Sequence, residues 1–186
     1  SEKGYLGPDK ISAVDCGYIF EDLVRRFSES FGEEAGAHFT SRDIIYLMTN
    51  LLLSEADLDT SSMTVYDMAM GTSQMLSCME ERIHELNSDI EVTCFGQEFN
   101  PSTFAIAKAD MMIRGGDPNN MRFGDTLSED QFPGFTFQYI ISIILTPILM
   151  SILSSENAQR FNQSKTYFTL DLLIGWHSTL LRGSRP

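Results

Sequence analysis

Cations are scarce in this chain beside its acids. Lys and Arg number 13 against 26 Asp and Glu, a net charge of −13. Such a surface repels a phosphate backbone, so nucleic-acid contact must be local or supplied by a partner subunit. Cysteine is scarce too. Cys16, Cys78 and Cys94 are odd in number and lack metal-ligand spacing, which reads as three reduced thiols in a cytosolic protein. His38, His84 and His177 are scattered, which argues against a zinc site. No apolar run is long enough to predict a membrane partner. Tyr139 to Leu153 is very apolar, but it is 15 residues long and contains Pro147, where a spanning helix needs about 20. The opening SEKGYLGPDK has no apolar signal core. What remains is ordinary globular composition, 42% apolar and 21% charged over 186 residues, enough for one domain with a real core.

The chain is organised around Met63 to Leu76. Thr64-Val65-Tyr66 has strand composition, Asp67 ends the strand, Gly71-Thr72-Ser73 is a tight polar loop, and Gln74 to about Asn87 reads as a helix with Met75, Leu76, Met79, Ile83 and Leu86 inward. A strand, a Gly-bearing turn and a helix form the nucleotide-cofactor corner of open α/β sheets. Ahead of it, Ser12 to Phe31 reads as a helix with a stripe of Tyr18, Ile19, Leu23, Arg26 and Phe27. A second helix spans Arg42 to Leu53, with Thr40 or Ser41 as N-cap. Beyond it, Glu91 to Glu98 is a strand, Ser102 to Arg114 a helix opened by Asn100-Pro101, Asn120 to Gly124 a short strand, and Phe135 to Leu145 a long one. The order from Thr64 predicts a parallel sheet flanked by helices.

Ligands of such a sheet sit outside the C-terminal strand ends. Asp67, Glu98 and Asp125 follow three successive strands. One acid alone reads as a solvated loop carboxylate, whereas three in succession read as a site. A carboxylate at the second strand end can accept two ribose hydroxyls, and one after the third can accept an adenine amino group.

These residues carry a resemblance. Gly17-Tyr18-Ile19-Phe20-Glu21-Asp22-Leu23, Phe39-Thr40-Ser41-Arg42-Asp43, Gly96-Gln97-Glu98 with Asn100-Pro101, Ala105-Ile106-Ala107-Lys108, Asp117-Pro118-Asn119-Asn120 and Gly124-Asp125-Thr126-Leu127 resemble the N6-adenine DNA methyltransferase (modification) subunit of type I restriction systems. The likeness runs from about Cys16 to Ser142, about two thirds of the chain. It implies a Rossmann-like S-adenosylmethionine-dependent fold. Thr40 would lie in the N-terminal cofactor motif, Asp67 and Gly71 in the Gly-rich loop, Glu98 on the ribose and Asp125 near the cofactor adenine. It implies specificity and restriction subunits and double-stranded DNA as partners. In the family, an Asn-Pro-Pro-aromatic motif after the fourth strand holds a flipped-out adenine.

The departures are specific. The family loop reads roughly Asp-Pro-x-Cys-Gly-Thr-Gly-Gly. Here Met68, Met70, Ser73 and Gln74 replace its Pro, Cys and last two glycines, and Ser41 replaces a Pro. Side chains at 73 and 74 are expected to crowd the cofactor and weaken its binding. The catalytic motif should begin at residue 143, where Ile143, Ile144, Leu145 and Thr146 stand instead. No catalytic residue is therefore assigned, and the chain is expected to be impaired or inactive, a truncated member of the family. Alternatives are a non-catalytic paralogue or interaction module and, more weakly, a small-molecule methyltransferase on the same fold. Residues 1–62 read as an N-terminal helical segment, 63–149 as a partial methyltransferase domain and 150–186 as a tail of unknown role. That tail either covers an apolar edge at Ile140 to Leu145 or continues the sheet as a diverged unit. Left uncovered, the edge invites self-association.

Overall fold

Turn chemistry sets the ends of most elements. The computed structural model describes residues 11, 13–30, 40–54, 56–143, 166–170 and 178–182. Two helices, α1 (Ala13–Ser30) and α2 (Arg42–Leu53), come first. Strand β1 (Ser62–Asp67) follows, ended where Asp67 accepts the Ala69 N–H at 3.0 Å. Helix α3 (Gln74–Leu86) and strand β2 (Glu91–Glu98) come next. Asn100 caps α4 (Pro101–Ile113), its side chain accepting from the Ser102 and Thr103 N–H groups with Pro101 in the first turn. Asn100→Ala is expected to cost about 1 kcal/mol in urea unfolding, as loss of a good N-cap does. A loss below a few tenths would mean that the cap is not needed.

A 3-10 turn (Pro118–Asn120) leads into the short β3 (Met121–Phe123), and β4 (Tyr139–Ile143) crosses back to the other side of β1. Two further strands, β5 (Thr166–Leu170) and β6 (Ser178–Arg182), complete a sheet of order β3-β2-β1-β4-β5-β6. All described pairings are parallel except β5 with β6. The chain moves outward from β1 through β2 to β3 and then returns to β4. The gap between the ends of β1 and β4 is therefore the switch point where such sheets bind ligands.

Four expectations change. Residues 139–143 of β4 pair with 166–170 of β5, so β4 is flanked on both sides and is no apolar edge. The long strand expected from Phe135 shortens to Tyr139, because Phe137 leaves the strand to stack on Tyr66 at 4.6 Å. The helical stripe of α1 is turned outward, with Tyr18, Ile19 and Leu23 at 38%, 41% and 48% exposure. The inward face instead carries Gly17, Phe20 and Val24. A methyl at Gly17 would stand 2.7 Å from the Arg114 guanidinium carbon. Leu86, expected inward, is exposed as well.

One core joins α2, α3 and α4 to β1 and β2 through Ile45, Met48, Leu52, Val65, Leu76, Met79, Cys94, Ala107 and Met111. On Tyr66 and Phe95 a second cluster forms, closed by Phe132 and Phe137 from the loop before β4. Among the described residues no helix is long and apolar enough to cross a membrane.

Candidate functional site

The loop between β1 and α3 is built from the inside. Met68 and Met70, where the resemblance expects Pro and Cys, are both buried, and Met70 joins the core. The Met70 N–H donates to the Gln97 carbonyl at 3.1 Å, fastening the loop to the end of β2. Gly71 takes φ +54 with open space around it, a left-handed conformation that glycine adopts without strain. Ser73 takes φ +70 and is the one described non-glycine residue in that region.

The acids at the strand ends do converge. Asp67 pairs across to Gly96, and Glu98 pairs across to Phe123. The Gly124 N–H donates to the Glu98 carbonyl at 3.0 Å, and the Thr126 hydroxyl donates to the Met68 carbonyl at 2.6 Å. These two bonds bring the loop after β3, and with it Asp125, against the loop after β1.

The three carboxylates differ in setting. Glu98 is 8% exposed; one oxygen accepts the Gly71 N–H at 2.9 Å and the other accepts the Asn100 N–H at 2.7 Å. Each oxygen keeps a lone pair for a further donor, which is what a pair of ribose hydroxyls needs. Asp125 is exposed; it accepts from its own loop, from the Leu127 N–H at 3.0 Å and the Ser128 hydroxyl at 3.2 Å. Asp67 is 1% exposed. One of its oxygens accepts both the Ala69 N–H and, at 2.6 Å, the Ser142 hydroxyl. Burial pushes its carboxyl up to about 7; the Ser142 and Ala69 bonds pull it back, and the Glu98 charge adds to the rise.

Gly71, Asp67, Glu98 and Asp125 therefore share one edge of the sheet. Thr40 stands at the entry to α2, half-buried, and no hydrogen bond among the described residues joins it to that edge. Ser41, not Thr40, holds the N-cap position and makes no side-chain cap bond. Ile143 ends β4 with an apolar side chain, which cannot accept a bond from an amino group. Ile144, Leu145 and Thr146 lie outside the described residues.

The Ser73 side chain is turned inward. Ser73 is 0% exposed, and its hydroxyl is turned to Asp110 of α4 at 3.2 Å. A residue with no accessible surface presents nothing to a ligand arriving from solvent. Gln74 is half-buried and lines a crevice with Phe20, Val24, Thr72, Ile106, Asp110 and Arg114.

Two site residues went unread in the sequence. Ser142 bonds Asp67 across the switch point and was visible only as the last residue of the family likeness. Phe99 is 70% exposed directly after Glu98. An apolar ring between a strand-end acid and Asn100-Pro101 was the available signal, since such a ring can stack on a planar base.

Comparison with known proteins gives the following. The N-6 DNA Methylase family model matches residues 12–145. The type I restriction enzyme HindI methylase subunit of Haemophilus influenzae is 34% identical over 112 residues, 59% of this chain and 24% of that protein. The type I restriction-modification system methyltransferase subunit from Streptococcus thermophilus is 27% identical with a TM-score of 0.55, over 68% of this chain and 26% of that one. A Listeria monocytogenes protein described as a class I S-adenosylmethionine-dependent methyltransferase has a TM-score of 0.68 over 89% of this chain and 55% of that one. At 15% identity that likeness shows the Rossmann-like fold alone. The chain spans about a quarter of the length of the curated relatives it matches.

Proposed function

This chain belongs to the N-6 DNA methylase family, and on that premise we propose that it is the cofactor-holding part of an adenine-N6 DNA methyltransferase subunit of a type I restriction-modification system. In this reading S-adenosylmethionine is the cofactor. Glu98 takes its ribose hydroxyls, Gly71 lets the backbone approach it, Asp125 meets its adenine amino group, and Phe99 supplies a stacking face. Asp67 acts from beneath, by closing the loop. Thr40 belongs to the same reading through the family motif alone.

The observation that carries the catalytic half of the proposal is Ile143. Methyl transfer to an adenine amine needs acceptors on that amine and a ring on the flipped base. Positioning is most of the catalysis in such an in-line displacement. An isoleucine at the end of β4 supplies neither, so the described residues keep the cofactor side of the reaction without the base side.

The expected result is S-adenosylmethionine binding by calorimetry, weakened at least about tenfold by Glu98→Ala, the scale of one lost hydrogen bond to a charged group. Tritium transfer to DNA should stay at the no-protein blank. Transfer above the blank, or binding untouched by Glu98→Ala, would overturn the assignment.

A second reading is a non-catalytic interaction module. It is favoured by the exposed apolar residues of α1 and α2, Tyr18, Ile19, Leu23, Leu47 and Leu51. Specificity and restriction subunits are the partners that the family suggests. With a net charge of −13, contact with double-stranded DNA falls to those subunits. Free Cys16, Cys78 and Cys94 suit a cytoplasmic setting.

A further inference from the structure

Ser73 stands where the family loop has glycine, in a left-handed conformation at φ +70 that disfavours any side chain. A serine persists there only if something holds it. The Ser73 hydroxyl donates to Asp110 Oδ2 at 3.2 Å, in a fully buried setting. Asp110 is itself fixed from two sides. The Ser77 hydroxyl, one turn into α3, donates to the same oxygen at 2.9 Å, and Arg114 Nε donates at 3.0 Å. Arg114 in turn donates to Glu81 at 2.6 Å. The anchor behind the loop is thus a rigid ion-pair cluster.

We infer that Ser73 and Asp110 form a latch that holds residues 68–73 in the shape a glycine would otherwise permit, making Ser73 a positioning residue for the cofactor loop. The inference rests on the reading that this loop takes the cofactor. The latch works by geometry. With the hydroxyl tied to α4, the Ser73 N–H keeps its 2.8 Å bond to the Met70 carbonyl, and the Gly71 N–H keeps its bond to Glu98. Without the tie, the side chain still opposes the left-handed backbone, and nothing offsets that strain. The loop then samples other shapes, and apparent cofactor affinity falls by the fraction of time it spends in them.

Three variants separate this role from packing. Ser73→Ala keeps the strained backbone and removes the tie. Ser73→Gly removes both the strain and the tie. Glu81→Gln loosens the far end of the same cluster, at Arg114, and has no bond to residues 68–73. Amide hydrogen exchange across residues 69–73 and calorimetry with S-adenosylhomocysteine are the two measurements. Ser73→Ala should speed exchange in the loop and weaken binding about tenfold, the scale of one hydrogen bond to a charged group. Ser73→Gly should restore both to within about threefold of the parent, because glycine takes the conformation freely. Glu81→Gln should leave loop exchange and affinity unchanged while lowering the melting temperature. If Ser73→Ala and Glu81→Gln behave alike, the cluster is only packing and the latch is refuted. If the parent chain binds no cofactor, the functional reading fails, and the exchange measurement alone still decides the latch.

Discussion

Arg114→Met is expected to lower the free energy of unfolding by about 3 to 5 kcal/mol, the cost of breaking a buried ion pair from one side. The guanidinium side chain is 8% exposed and lies between Asp110 at 3.0 Å and Glu81 at 2.6 Å. Both carboxylates are also largely buried. Removing the cation strands two negative charges in a weakly solvated interface. The same cation meets the backbone of α1 at Gly17, and Glu81 accepts the Tyr18 hydroxyl at 2.9 Å. Burial and that Glu81 contact push the Tyr18 phenol up to about 12. The first helix is thus tied to α3 and α4 through polar contacts. Urea titration should show a lower midpoint with an unchanged slope. Adding Asp110→Asn should recover part of the loss, because the two sites are coupled. A single-variant loss under about 1 kcal/mol would place this cluster with solvated surface pairs.

The second large effect is opposite in sign. Asp67→Asn is expected to stabilise the protein at pH 8. In the fold the carboxyl is held near 7, against 3.8 for the ordinary group. Between those values the folded chain keeps a proton that the unfolded chain has released. Stability from this group is therefore full below about pH 3.8, declines as pH rises, and is lost once pH passes about 7. About three decades of proton affinity at about 1.4 kcal/mol each come to on the order of 4 kcal/mol. Asparagine keeps an acceptor oxygen for the Ala69 N–H and the Ser142 hydroxyl and carries no charge to desolvate. Urea titrations should show the parent chain losing about 1.4 kcal/mol from this site between pH 6 and pH 8. The variant should lack that loss and exceed the parent at pH 8. A variant less stable than the parent at pH 8 would mean that the carboxylate is favoured in the fold.

The element order was legible because its signals are local. The Asp67 stop, the Gly71 turn, the Asn100-Pro101 helix start and the Pro118 turn each act within a few residues, and the backbone obeys them whatever surrounds it. The apolar period of α3 pointed Met75, Leu76, Met79 and Ile83 inward, and they are buried. The same rule failed on α1. There Gly17 admits the Arg114 side chain, so a polar anchor from α4 sets the rotation of the helix and the apolar stripe is left outside. Periodicity cannot weigh that, because the deciding residue lies far along the chain.

The sequence by itself determined the strand-loop-helix corner, the parallel order of the strands from β1 to β4 and the three acids at the strand ends. Each of these depends on residue type and short spacing. Tertiary structure alone decided that Asp67 is buried against Ser142, 75 residues away, and that Ser73 turns from the cleft to Asp110, 37 residues away. It also decided that β4 gains a second neighbour in β5. These outcomes follow from which strands lie side by side after the crossover and which helix packs behind the loop. A side chain's burial and protonation depend on those distant partners, and no local pattern encodes them.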